Sequence, residues 1–155
     1  FPYLGEDCEL VIEPRQRSEV VDGTLRLRKS AVEQSSVERA LRNFYRREAR
    51  EYLTDRLDHF GEEMGLGYDG IEIRNQRTRW GSCSTNGTIS LNWRLLMAPP
   101  EVIDYVVVHE LAHLREPNHT DSFWSLVAEQ ISKWETHADW LEEHSTRLVF
   151  SADDL

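Results

Sequence analysis

Between Val106 and Leu114 the chain runs as an apolar stretch at helical spacing, into which three polar side chains are set: His109, Glu110 and His113. Val102, Ile103, Val106, Val107, Val108, Leu111 and Ala112 surround them and leave such a helix little polar surface, so it must be buried. Pro99-Pro100-Glu101 starts it, because proline is tolerated in a first turn and the helix dipole favours a carboxylate there. The pattern predicts a helix over 100–116, stopped by Pro117. A buried polar triplet is costly unless its groups find partners. Whatever this chain folds into must therefore both enclose the helix and satisfy the triplet.

His109-Glu110-Leu111-Ala112-His113 is the H-E-x-x-H pattern. Residues i and i+4 lie on one face about a turn apart, so two imidazoles can close on one metal ion. Glu110 follows roughly 100° further round the axis, beside the metal, where a general base for metal-bound water belongs. A tetrahedral catalytic zinc takes three protein ligands and keeps one open position. His119 is the third candidate: Pro117 ends the helix and Asn118 tolerates a left-handed turn, which lets the chain double back. His137, Glu129 and Glu135 are its rivals on later helices. Three neutral imidazoles would leave zinc its full Lewis acidity and bring a bound water to a pKa of roughly 7. One zinc per chain is expected, although imidazole ligands also suit nickel, copper and cobalt. The bland alternative is a buried helix that merely happens to carry these residues.

The rest of the pattern supplies elements to pack on that helix. Within residues 8–29, Leu10-Val11-Ile12 and Leu25-Arg26-Leu27 flank Asp22-Gly23 and read as a hairpin or a pair of strands. Ser35 with Glu38 forms a capping box ahead of a long helix over 35–64, whose apolar positions from Val37 to Phe60 keep helical spacing. Gly65, Gly67 and Gly70 then break the chain. Residues 71–94 read as strands with a hairpin at Asn86-Gly87, the dipeptide favoured in two-residue type I′ turns. Pairing outward from such a turn sets Ser84 against Ile89, Ser82 against Leu91, Trp80 against Trp93 and Arg79 against Arg94. Gly81 is the position where a bulge would change this register. Thr120 or Asp121 caps the first of the C-terminal helices, predicted over 120–149, and Trp140-Leu141 lies in the last. Trp80, Trp93, Phe123 and Trp124 read as core aromatics, and Cys83 as a small structural residue.

Arg79-Trp80-Gly81-Ser82-Cys83, Gly87 to Asn92, Asp104 to His113, Asn118-His119-Thr120 and Phe123-Trp124 together resemble the YgjP-like metal-dependent hydrolases, relatives of the SprT-like and Wss1-like zinc proteases. The match is close over about 71–142. The resemblance implies an α+β, minimal zincin-like fold. In it a small antiparallel or mixed sheet packs on the active-site helix, with a long N-terminal helix and C-terminal helices, as one domain over 1–155. It also implies zinc on His109, His113 and His119, with Glu110 catalytic. The metzincin pattern is excluded, since it has Gly where this chain has Glu116 and needs a Met-turn downstream. Met64 and Met97 both lie upstream.

The expected function is that of a zinc-dependent hydrolase, first a metallopeptidase acting on peptide or protein. In zinc proteases of this build an edge strand beside the active-site helix pairs with extended peptide, and Thr88 to Asn92 is the candidate strand. Arg74, Arg77, Arg79 and Arg94 face only Glu72 between Ile71 and Leu96, a basic island in a chain of net charge −10. If Arg79 and Arg94 sit opposite each other, a carboxylate from elsewhere or an anionic substrate group must neutralise them. A nucleotide phosphoanhydride is therefore the alternative substrate, and a catalytically silent binding module the alternative class. Asn92 and Tyr105 are candidate substrate or oxyanion donors. His137 and His144 are expected to face solvent.

The acidic balance argues against nucleic acid as a direct ligand. With 28 acidic residues and two lysines, Lys29 and Lys133, the composition suits a salt-rich solvent. No apolar run approaches a membrane span. Two cysteines, Cys8 and Cys83, make no disulfide framework, so a reducing cytoplasm is expected. Phe1-Pro2-Tyr3-Leu4 has neither an initiator Met nor a signal region and reads as an excerpt of a slightly longer chain. The pattern leaves oligomeric state open.

Overall fold

The computed structural model describes residues 1–76 and 79–145. Two short strands, β1 (Pro2–Tyr3) and β2 (Glu6–Asp7), pair antiparallel ahead of a three-stranded sheet of β3 (Glu9–Glu13), β4 (Glu19–Val21) and β5 (Thr24–Arg28). The hairpin at Asp22-Gly23 joins β4 to β5, not the two longer runs. Both turn residues have positive φ, 48° and 77°, as a type I′ turn requires. Leu10-Val11-Ile12 instead pairs parallel with Leu25-Arg26-Leu27, Leu10 beside Leu25 and Ile12 beside Leu27. Glu19-Val20-Val21 is too short to show a period, so β4 leaves no signal in the sequence.

A short helix, α1 (Lys29–Gln34), precedes the long helix α2 (Val37–Met64). Ser35 belongs to the end of α1, and the N-cap of α2 is Ser36, whose Oγ accepts from the Arg39 amide at 3.1 Å. The expected capping residue was thus one position early. Gly65 ends α2 in the left-handed region, φ 66°, where glycine meets no Cβ clash. Leu41, Leu53 and Leu57 are fully buried on its inner face. α3 (Pro100–Ala112) is buried on nearly every side, from Val102 to Ala112. Arg56 of α2 donates both Nε and Nη2 to the two carboxylate oxygens of Asp104 on α3, at 2.8 and 3.0 Å. That two-point contact sets how α3 lies on α2.

The second three-stranded sheet carries the surface beside α3. Its order is β6 (Gly70–Arg74), β8 (Thr88–Asn92), β7 (Gly81–Cys83), with β6 parallel and β7 antiparallel to β8. β8 is therefore the central strand and not the expected edge; β7 is the edge, and it packs on α3. The register also differs from the two-residue turn. Gly81 faces Leu91, Ser82 faces Ser90 and Cys83 faces Ile89. Ser84 donates its amide to the Thr88 carbonyl at 2.9 Å, so the loop is three residues long, with Gly87 at φ 89°. A type I turn closed by a left-handed glycine is the other common hairpin that ends in Asn-Gly. One extra loop residue moves every pairing by one.

After β8 a 3-10 turn over Trp93–Met97 leads into α3, and α4 (Asp121–Gln130) and α5 (Trp134–His144) close the other side. Thr120 caps α4 by accepting from the Phe123 amide at 3.3 Å, as expected. The predicted stretch beyond residue 145, including Val149 and Phe150, lies outside the described residues. Among the described residues, no helix is long and apolar enough to cross a membrane.

Candidate metal centre

α3 ends at Ala112, one turn short of the predicted 116, with His113 as the capping residue. Arg115 and Glu116 both donate their amides to the Ala112 carbonyl, at 3.1 and 2.9 Å, which tightens the exit before Pro117. That turn brings the Glu116 carbonyl to 3.1 Å from His113 Nδ1. A carbonyl only accepts, so Nδ1 carries the proton and Nε2 is left with its lone pair outward. The chain then folds back over Asn118, and His119 Nε2 lies 3.1 Å from His113 Nε2. His109, one turn earlier on α3, completes a set of three nitrogens within 4.8 Å of one another.

Two ligand nitrogens on a tetrahedral zinc, each about 2.0–2.1 Å from it, are about 3.3 Å apart. The His113–His119 separation fits that value, and an all-imidazole set suits a borderline-soft divalent ion. Burial lowers the pKa of His119, helped by the neighbouring His109 and His113 and opposed by Glu110. The neutral form favoured this way is the one that ligates. Phe123, fully buried at the head of α4, stacks on His113 with ring centroids 4.5 Å apart, and Trp124 stacks on His119 at 5.7 Å. Trp134 backs Trp124 at 4.0 Å. Phe123 and Trp124 are thus walls that orient the imidazoles as well as core residues.

Glu110 is buried, and its Oε2 lies 3.2 Å from His109 Nδ1. An Nδ1–H donated there holds both side chains. On the other side the carboxylate rests against β7. A Cβ added at Gly81 would lie 3.0 Å from Glu110 Cγ, 3.1 Å from its Oε2 and 3.0 Å from Leu91 Cδ2. Gly81 is not among the expected site residues; its signals in the sequence are the possible bulge and its place in the Arg79 to Cys83 motif. It is where the edge strand's backbone approaches the carboxylate. Gly81→Ala is expected to lower kcat/KM about 10- to 100-fold by displacing Glu110, with bound metal retained. Peptidase kinetics beside metal content check this.

A cavity of about 760 Å³ opens over the histidines and β7, and Arg79 and Asp69 stand at its rim. Of the candidate substrate residues, only Arg79 lines it. Asn92 is buried, with its amide nitrogen donating to the Gln76 and Arg79 carbonyls and its Oδ1 accepting from the Arg94 amide at 3.0 Å. It holds the Gln76 and Arg79 backbone instead of offering an oxyanion donor. Arg94 is buried too, over the Trp93 ring at 4.7 Å and bonded to Asn75. The expected Arg79–Arg94 juxtaposition does not occur, because strand pairing ends at Asn92. Arg77 lies outside the described residues. Tyr105 packs edge-on to His109 and flat against Trp134. Burial, with the nearby Glu110 charge, pushes its phenol up to about 12, so it stays a hydrogen-bond donor at neutral pH. Glu129, Glu135 and His137 lie outside the three-nitrogen cluster. His144 is half-buried, stacked on Trp140 at 4.2 Å, and not turned to solvent as expected. Cys83 lines the cavity as a free thiol, and burial and Glu110 raise its pKa.

The model of the YgjP-like metallopeptidase domain matches residues 1–144. Among solved structures the chain is similar to the metallopeptidase zymogen of Pyrococcus abyssi abylysin. The TM-score is 0.53 and the identity 27%, over 57% of this chain and 90% of that one. It also shares its fold with the metallopeptidase zymogen of Methanocaldococcus jannaschii jannalysin. Here the TM-score is 0.51 and the identity 22%, over 63% of this chain and 97% of that one. No curated protein matches the sequence. A match spanning all but the last eleven residues means that this chain belongs to the YgjP-like metallopeptidase family and is a metal-dependent peptidase.

Proposed function

We propose that the chain is a zinc peptidase in which His109, His113 and His119 hold one zinc and Glu110 is the general base. The observation that carries this reading is the three-imidazole cluster, set beside a buried carboxylate and under the free edge of β7. When bound there, zinc would supply Lewis acidity, polarising the scissile carbonyl and lowering the pKa of a water to roughly 7. Glu110 takes a proton from the attacking water and delivers it to the leaving amine nitrogen. Tyr105, whose phenol keeps its proton, and the Phe123–Trp124 wall hold the imidazoles in place.

β7 takes over the substrate-pairing role that the sequence suggested for β8. Ser84 bonds Thr88 and Asn92 bonds Trp80 across the hairpin, so Ser82 and Ser90 form the hydrogen-bonded pair between them. Gly81 and Cys83 then direct their N–H and C=O groups away from β8, toward the cavity. An extended peptide can pair with those groups while Glu110 lies directly beneath Gly81.

The test is cleavage of quenched-fluorescent peptides by zinc-loaded protein, with and without chelator. Cleavage abolished by chelation and restored by zinc supports the reading. Cleavage that resists chelation, or a metal-loaded protein inert toward peptides and unfolded proteins, contradicts it.

A further inference from the structure

The cleft has a charge toward each end of β7, Arg79 before the strand and Asp69 beside the hairpin loop that follows it, and among the described residues neither is held in an ion pair. Arg79 lies two residues before β7, exposed at the cavity rim, with its own carbonyl held by Asn92 Nδ2 at 3.3 Å. Asp69 lies at the opposite end, also exposed. Its amide donates to the Gly87 carbonyl at 2.8 Å, just past the hairpin loop that follows β7. Both backbones are pinned, so each side chain projects from a fixed point. Among the described residues neither has an ion-pair partner, whereas Arg74 is bridged to Glu72 and Arg56 to Asp104. Between the two ends the rim is neutral, with Ser82, Ser84 and Asn86 among its residues.

We propose that Arg79 and Asp69 set the charge pattern of the peptide this cleft accepts, an acidic side chain at the Arg79 end and a basic one at the Asp69 end. The inference rests on the peptidase reading above and adds a substrate class to it. Along the strand, the five residue steps from Arg79 to Ser84 span at most about 17 Å, so a peptide of about six residues laid along β7 runs from Arg79 to the hairpin loop that Asp69 adjoins. Both pairs would be exposed. Each is therefore worth a few-fold in kcat/KM, and the preference fades in high salt as the charges are screened.

The experiment uses zinc-loaded wild type, Arg79→Glu and Asp69→Lys with matched peptides. These differ in one residue, acidic, neutral or basic, at each position within three of the scissile bond. The acidic-to-basic ratio of kcat/KM is taken within each variant, so any loss of folded protein cancels. Wild type is expected to prefer acid on one side of the bond and base on the other, each by about fivefold. Arg79→Glu should invert the first preference and leave the second, and Asp69→Lys should do the converse. Both preferences should shrink toward unity at 1 M salt. Peptides cleaved without charge preference, or preferences untouched by Arg79→Glu and Asp69→Lys, overturn the inference and leave the peptidase reading intact. A wild type that cleaves no peptide removes both.

Discussion

Glu110→Gln is expected to lower peptide-cleavage kcat by about 10²- to 10⁴-fold while leaving metal content and folding unchanged. The substitution is nearly isosteric. The side chain is 5% exposed, with its Cγ against the Gly81 backbone and one oxygen 3.2 Å from His109 Nδ1. An amide oxygen accepts that same hydrogen bond, so the imidazole keeps its orientation and the contact with β7 keeps its shape. What the amide cannot do is take a proton from the attacking water and pass it to the leaving nitrogen. The loss should therefore appear in kcat, with KM little changed. Steady-state kinetics with circular dichroism and metal analysis check this. A variant with unaltered kcat would place the base elsewhere in the cleft.

His113→Ala is expected to have an effect at least as large by a different route. His113 donates Nδ1–H to the Glu116 carbonyl and turns Nε2 toward His119 Nε2, 3.1 Å away, so it links the helix end to the returning loop. Without it two imidazoles remain, below the three that a catalytic zinc takes. Activity should fall to background. Zinc should raise the melting temperature of wild type and of Glu110→Gln but not that of His113→Ala, since only a ligand bound to the folded state stabilises it. Thermal denaturation with and without zinc reads this directly. The Phe123 ring also loses its stacking contact with His113, though not its edge contacts with His109, His119 and Trp124, so the variant is expected to melt somewhat below wild type even without metal.

The three-histidine cluster is legible in the sequence because most of it is local. His109 and His113 share one helix face by spacing alone, and Pro117 announces the helix end ahead of His119, although the return is made without the left-handed turn expected at Asn118, whose φ is not positive. α2 and α3 were legible for the same reason, since helical period is a property of neighbours in sequence. What failed was non-local. Asn86-Gly87 fits both a two-residue turn and a three-residue loop, and the longer one is the one that sets Gly81 opposite Leu91 with its backbone close to Glu110. Strand order cannot be read from a strand's own residues, so β8 was taken for an edge although β6 covers its other side. Arg94 is a candidate because the two-residue turn would set it opposite Arg79 in a basic island, and Asn92 because an oxyanion needs a further donor. Their partners, Gln76 and Asn75, come from a loop more than fifteen residues upstream. Asp69 gave no signal, because its place at the cleft depends on the Gly87 contact.

Metal content by mass spectrometry, on protein purified without chelator and then exposed to zinc, tests the central claim most directly. One zinc per chain is predicted in wild type and in Glu110→Gln, with none retained by His113→Ala. A wild type that stays metal-free after zinc is added, or a His113→Ala variant that keeps its zinc, would contradict the assignment of His109, His113 and His119 as the metal site.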